Sequence, residues 1–173
     1  MDDVKAIKEE LKDLKAIKEE LRDLQTLKDK LNNRDTHIMF SVYSNSGYGI
    51  SEGSFLDFDY SWVENGYPLT NGGEFIAPVN GNYEFSITGN TYYNNAGTSC
   101  DSRKGVIQVL RNGVKIHEIS ANESNDYTSN NLSTSWIVTL NVGDSIRLYV
   151  GSGCIYTDAA DYRTFSGKLI EVL

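Results

Sequence analysis

Residues 122–130 read NESNDYTSN. Asn122, Glu123, Asp126 and Asn130 put two carboxylates and two amides within nine residues. These are hard oxygen donors, and a calcium ion gathers about 6–8 oxygens from carboxylates, amides and backbone carbonyls. Further acids, Asp101, Asp158 and Asp161, lie in two other stretches rich in Asn, Gly, Ser and Thr. Acids in such stretches also serve solubility alone, and that reading stays open. The same stretches carry Tyr92, Tyr93, Tyr127, Tyr156 and Tyr162. Tyrosine supplies rigid, amphipathic contact area suited to protein or glycan surfaces. These tyrosines, with Asp158 and Asp161, form the candidate ligand-binding set. Asn122–Ser124 and Asn131–Ser133 match the N-glycosylation pattern, which has meaning only in a eukaryotic secretory pathway. Patterns this short also arise by chance in Asn- and Ser-rich chains.

Covalent chemistry finds little footing. The two histidines, His37 and His117, stand far apart in sequence, and no H-E-x-x-H, phosphate loop or G-x-S-x-G occurs. Carboxylate pairs are present, as in any acidic domain, but a sequence does not give their separation in space. Cys100 and Cys154 lack C-x-x-C spacing and argue only weakly for metal; free, partly buried thiols are the bland alternative. The reading is a binding protein and not an enzyme. Net charge is −8. Residues 1–35 hold nine Lys/Arg against ten Asp/Glu, and residues 36–173 hold seven against fourteen. An acidic head repels phosphate backbones, so nucleic acid is excluded as a partner and cations are the better match.

The elements that must carry these residues fall into two parts. All eleven Tyr, all fifteen Gly, both Pro and both Trp lie beyond residue 32, while Lys, Glu and Leu dominate before it. Residues 1–33 are assigned to a helical stalk and 36–173 to a head, with NNRDT as the joint. In the stalk, apolar residues fall at Val4, Ile7, Leu11, Leu14, Ile17, Leu21, Leu24, Leu27 and Leu31. No Gly or Pro interrupts them, and strong helix formers fill the rest. Residues 15–24 copy residues 5–14 with only Lys12 changed, to Arg22. Ten residues at about 100° each turn ~1000°, about 80° short of three turns. A heptad falls only ~20° short. Helices keeping this stripe against a partner must wind left-handed and more tightly than heptads do. A rod of ~42 Å is longer than one small domain needs. The expectation is a coiled coil of this chain with itself. No apolar run nears the roughly 20 residues that span a bilayer, and the first ten residues lack the apolar core of a secretory leader.

From His37 on, the pattern is β: short Val/Ile/Tyr/Phe/Thr runs between Gly/Asn turns. RNGV is an Asn-Gly hairpin turn between two alternating strands. Several short strands at regular spacing indicate a sandwich or jelly roll. GEFIAPVNGNYEFSI places Phe75, five residues, then Gly81-x-Tyr83-x-Phe85. In this spacing, and in VLRNGVKI, LNVGDSIRLYV and FSGKLIEVL in order, the chain resembles C1q-like globular heads over about 36–173. Phe58 and Asn65 correspond loosely, and Leu69 is one position off.

The resemblance implies an all-β, ten-strand jelly roll of the C1q/TNF-like kind, assembled as a homotrimer. A helical stem replaces the collagen that relatives often carry. It implies that three loops, about 92–104, 121–132 and 151–163, converge at the end away from the stem. Cys100 and Cys154 would then meet as a disulfide, which belongs to an oxidising, extracellular or surface-exposed setting. Calcium is the implied ion, with Asn122, Glu123 and Asn130 nearest the family's ligand positions. Asn stands where some members carry Asp. The implied function is a recognition module that binds a protein or glycan through these apical loops. The alternative is structural: a trimerising tip of a surface or appendage fibre, of spore-coat or phage-fibre type.

Overall fold

A computed structural model gives the architecture. It describes residues 2–35, 37–44, 49–65, 69–70, 72–91, 104–122, 130–156 and 163–173. The chain divides into two units, Met1–His37 and Ile38–Leu173.

The first unit is one helix, α1, Asp2–Asp35. Its span follows from composition, since no Gly or Pro occurs in it and the strong helix formers Leu, Lys and Glu make up half of it. Asn32 and Asn33 are only middling helix formers, and the helix runs through them to Asp35. Leu11, Leu14, Ile17, Leu21 and Leu24 are 53–64% exposed, an apolar stripe open to solvent. The side chains of Val4, Ile7, Leu27 and Leu31 lie outside the description.

The second unit contains eleven strands among its described residues. They are β1 Met39–Ser44, β2 Ile50–Ser51, β3 Tyr60–Asn65, β4 Phe75–Ile76, β5 Gly81–Thr91 and β6 Lys104–Arg111. Then come β7 Val114–Asn122, β8 Asn131–Leu140, β9 Ser145–Ser152, β10 Cys154–Tyr156 and β11 Arg163–Val172. They form two antiparallel sheets. In the first, β5 pairs β8 on one side and β11 on the other, followed by β1 and β3. At its far end β5 takes β10 through Asn90 and Thr91, with β2 beyond. The second sheet runs β4-β9-β6-β7. The jelly-roll expectation of ten strands is corrected to eleven among the described residues. One cause is Gly153. It adopts φ +67°, ends β9 in the second sheet and sends Cys154–Tyr156 into the first.

Between the sheets lies one aromatic core. Tyr83, Phe85 and Ile87 alternate inward along β5, while Asn82, Glu84 and Ser86 face out. Phe85 meets Phe75 at 5.3 Å between ring centroids and Phe165 at 5.8 Å. Phe40 meets Phe165 edge-on at 5.0 Å. Each such buried ring contributes about 1.5–3 kcal/mol of transfer free energy. Gly167 is required here, because a Cβ would stand 2.6 Å from the Phe40 ring and 2.7 Å from Phe85. The Tyr83 hydroxyl donates to the Val79 carbonyl at 2.8 Å, satisfying a buried polar group.

One end of this sandwich is tied by two turns. Asn112 (φ +50°) and Gly113 (φ +79°) close the β6–β7 hairpin, as the RNGV reading expects. Asp144, in the NVGD turn, accepts from Asn112 Nδ2 and from Arg111 Nη2, each at 2.6 Å. The C-terminus is at this end too, where Leu173 N–H donates to the Asn80 carbonyl at 3.0 Å.

Candidate functional site

At the opposite end, described residues flank three stretches, 92–103, 123–129 and 157–162. Their strands bring the flanks together. Asn90 pairs with Asn131 on one side and with Tyr156 on the other. Lys104 pairs with Asn122, and Val106 with Ser152. The loops expected to share one end therefore start and finish there.

Thr91 and Asn130 form the knot beneath them. Thr91 N–H donates to the Asn130 carbonyl at 2.8 Å, and Asn130 N–H donates to the Thr91 hydroxyl oxygen at 3.2 Å. Asn130 Nδ2 donates to the Asn122 carbonyl at 2.7 Å, which closes the mouth of the 123–129 stretch. The amide and carbonyl oxygens of these two asparagines are neutral, hard donors of the kind calcium accepts. The carboxylates needed beside them, Glu123 and Asp126, lie outside the described residues. So do Tyr92, Tyr93, Cys100, Asp101, Tyr127, Asp158, Asp161 and Tyr162. Tyr156 ends β10 and is half-buried. Cys154 is buried and disulfide-bonded, and the chain's other cysteine is Cys100.

Close packing fixes this corner. A Cβ on Gly153 would stand 2.2 Å from the Lys104 carbonyl oxygen, and one on Gly105 would stand 2.2 Å from Thr91 Cγ2. The crossover that carries Cys154 thus has room only for glycine.

Three features here go beyond the expected set. Arg163, the first residue of β11, is 1% exposed and faces the interior. Its Nη2 donates to the Asp57 carbonyl at 2.7 Å, while Nε and Nη1 have no hydrogen-bond partner among the described residues. Burial pulls its pKa down to about 10, and the charges of Asp59 and Asp57 oppose that shift. Its position was readable in principle, since it stands two residues before Phe165 and alternation puts both on one face. The second feature is Asp59, which accepts the Ser44 hydroxyl at Oδ2. The third is an aromatic stack on the outer face of the first sheet. Tyr43 meets Trp62 at 4.3 Å and Tyr60 at 5.1 Å, with Trp62 and Tyr60 54% and 50% exposed. His117 is half-buried, 3.4 Å from the Thr134 hydroxyl and beside Trp136, a packing position.

The C1q domain model matches residues 31–170. Among solved structures, the globular domain of zebrafish complement 1qA is similar with a TM-score of 0.59 and 15% identity, over 79% of this chain and 99% of that one. Eiger TNF from S. frugiperda gives 0.62 and 11%, over 80% and 96%. Murine APRIL gives 0.54 and 12%, over 77% and 99%. At these identities the likeness is one of fold. No curated protein matches the chain.

Proposed function

The chain belongs to the C1q domain family, and from that premise we propose that it is a homotrimeric recognition module without enzymatic activity. Domains of this kind generally form trimeric ligand-binding modules. The reading places a protein or glycan ligand at the apical loops. The observation that carries it is the convergence of the flanks of 92–103, 123–129 and 157–162 on one end. Tyr92, Tyr93, Tyr127, Tyr156, Asp158, Asp161 and Tyr162 supply the contact surface. In this reading Cys100 pairs with Cys154, anchoring the first loop to β10 in an extracellular or surface-exposed setting. Calcium, when bound, supplies a fixed positive charge that steadies the 122–130 stretch. Asn122 and Asn130 hold it with neutral oxygens, and Glu123 and Asp126 with carboxylates.

Support for self-association comes from two exposed apolar surfaces. One is the Leu11–Leu24 stripe of α1, which in water favours a partner. The other is the outer face of the first sheet, where Met39, Tyr60, Trp62 and Val63 are 39–54% exposed and Met39 and Val63 line a 310 Å³ depression. The exposed stripe also favours the second reading, a fibre tip in which the head serves chiefly to gather three chains.

A glycan and protein array probed with the full chain, with and without a calcium chelator, separates the readings. Binding that is lost on chelation is the expected result. Silence across both arrays favours the fibre tip, and binding indifferent to chelator removes calcium from the proposal.

A further inference from the structure

The open edge of the sandwich lies between β3, which edges the first sheet, and the residues leading into β4, which edges the second. It holds a cleft of about 210 Å³ lined by Val42, Phe58, Asp59, Ser61, Leu69 and Thr70. Both walls are fixed. On one, Thr70 N–H donates to the Glu74 carbonyl and Gly73 N–H to the Thr70 carbonyl, each at 2.9 Å. Gly73 sits at φ +69°, where a Cβ would meet the Leu56 carbonyl oxygen at 2.5 Å, so this wall has no slack. On the other, Asp59 N–H donates to the Tyr43 carbonyl at 3.2 Å, and the Ser44 hydroxyl donates to Asp59 Oδ2 at 2.5 Å. Oδ1 has no donor among the described residues.

We propose that this cleft takes the ammonium end of a lysine side chain from a protein partner, with Asp59 Oδ1 as its counter-ion. Three observations select that group. The volume is below the roughly 300–1,000 Å³ of drug-sized sites, so one side chain fits and an oligomer does not. Val42, Phe58 and Leu69 offer an apolar floor for a methylene stem, while Asp59, Ser61 and Thr70 are polar groups for its charged tip. Finally, one carboxylate oxygen is already engaged. Arginine gains its advantage from two parallel bonds to a carboxylate, and Ser44 denies it the second. A point charge on a flexible stem suits a single free oxygen. Asp59 is the one acid in the cleft lining among the described residues. The Arg163 guanidinium, 5.5 Å over the Phe58 ring, shares its field but spends Nη2 on the Asp57 carbonyl. This surface is separate from the apical loops, and its failure leaves that reading standing.

The test is a nuclear magnetic resonance titration of the full chain with N-acetyl-lysine-methylamide, its arginine counterpart and its uncharged norleucine isostere. Saturable shifts at the Ser61, Thr70 and Gly73 amides with the lysine probe are expected, at roughly millimolar concentration for so small a group. Asp59→Asn should weaken them about tenfold, the scale of a lost charge pair. Should that variant fail to fold, Ser44→Ala carries the test, because freeing Oδ2 should move the preference toward the arginine probe. An equal response to norleucine, tighter arginine binding by the native chain, no saturable shift, or an unchanged preference in Ser44→Ala overturns the proposal.

Discussion

Arg163 is the residue at which physics and sequence pattern disagree. Alternation puts it on the inner face, and chemistry resists placing a guanidinium there. Among the described residues only Nη2 has a hydrogen-bond partner, so desolvation is poorly repaid there. Its folded pKa of about 10 lies below the ordinary arginine value. Above pH 10 the unfolded chain therefore holds a proton that the folded chain has released, and stability from this group rises with pH there. At neutral pH the penalty is carried in full. Arg163→Met should accordingly raise the melting temperature at pH 7, by the equivalent of about 1–4 kcal/mol. Arg163→Lys should lower it, since a buried ammonium lacks the planar fork. Equal destabilisation by both variants would show that the charge is well compensated. Little of this was readable beforehand. The arginine's partner Asp57 is 106 residues away, and no local pattern reports such a neighbour.

At the scale of elements, the readable parts were those whose backbone demands particular residues. Asn112-Gly113 announces its turn because both residues take positive φ. The alternating run around Tyr83 and Phe85 announces a strand buried on one face. The β9–β10 crossover was silent: the strand reading ends at Val150 and the 151–163 stretch reads as a loop, whereas Cys154–Tyr156 forms β10. What makes Gly153 a corner is the Lys104 carbonyl packed against it, a tertiary fact. The 122–130 candidates were chosen for their oxygens. The structure adds that Asn130 Nδ2 donates to the Asn122 carbonyl, so the two amide-bearing residues touch. The tie between the two basal turns gives a prediction of its own. Asp144 is held below the usual carboxylate range by Asn112 Nδ2, then by the Asn141 N–H and Arg111. Its contribution is present above that range and is lost as pH falls through its lowered value. Asp144→Ala should melt below the native protein at pH 7, and the gap should shrink as the solution is acidified past the carboxylate range. A gap that persists at low pH would assign the loss to packing instead of charge.

For the whole molecule, the proposed trimer raises the question of which part would gather the copies. Removing residues 1–31 and measuring mass by sedimentation at low micromolar concentration decides it. Retention of a trimer is expected if the β-domain faces associate by themselves, and a monomer would make α1 the driver. The decad adds a consequence. A seam in which residues 5–14 and 15–24 carry the same teeth has no unique alignment. A strand shifted by one decad, ~15 Å, meets nearly the same surface as one in step. Such a rod can grip strongly and still be a poor ruler. Alignment then has to come from something that occurs once per chain, which leaves the helix beyond Leu24 and the β-domain.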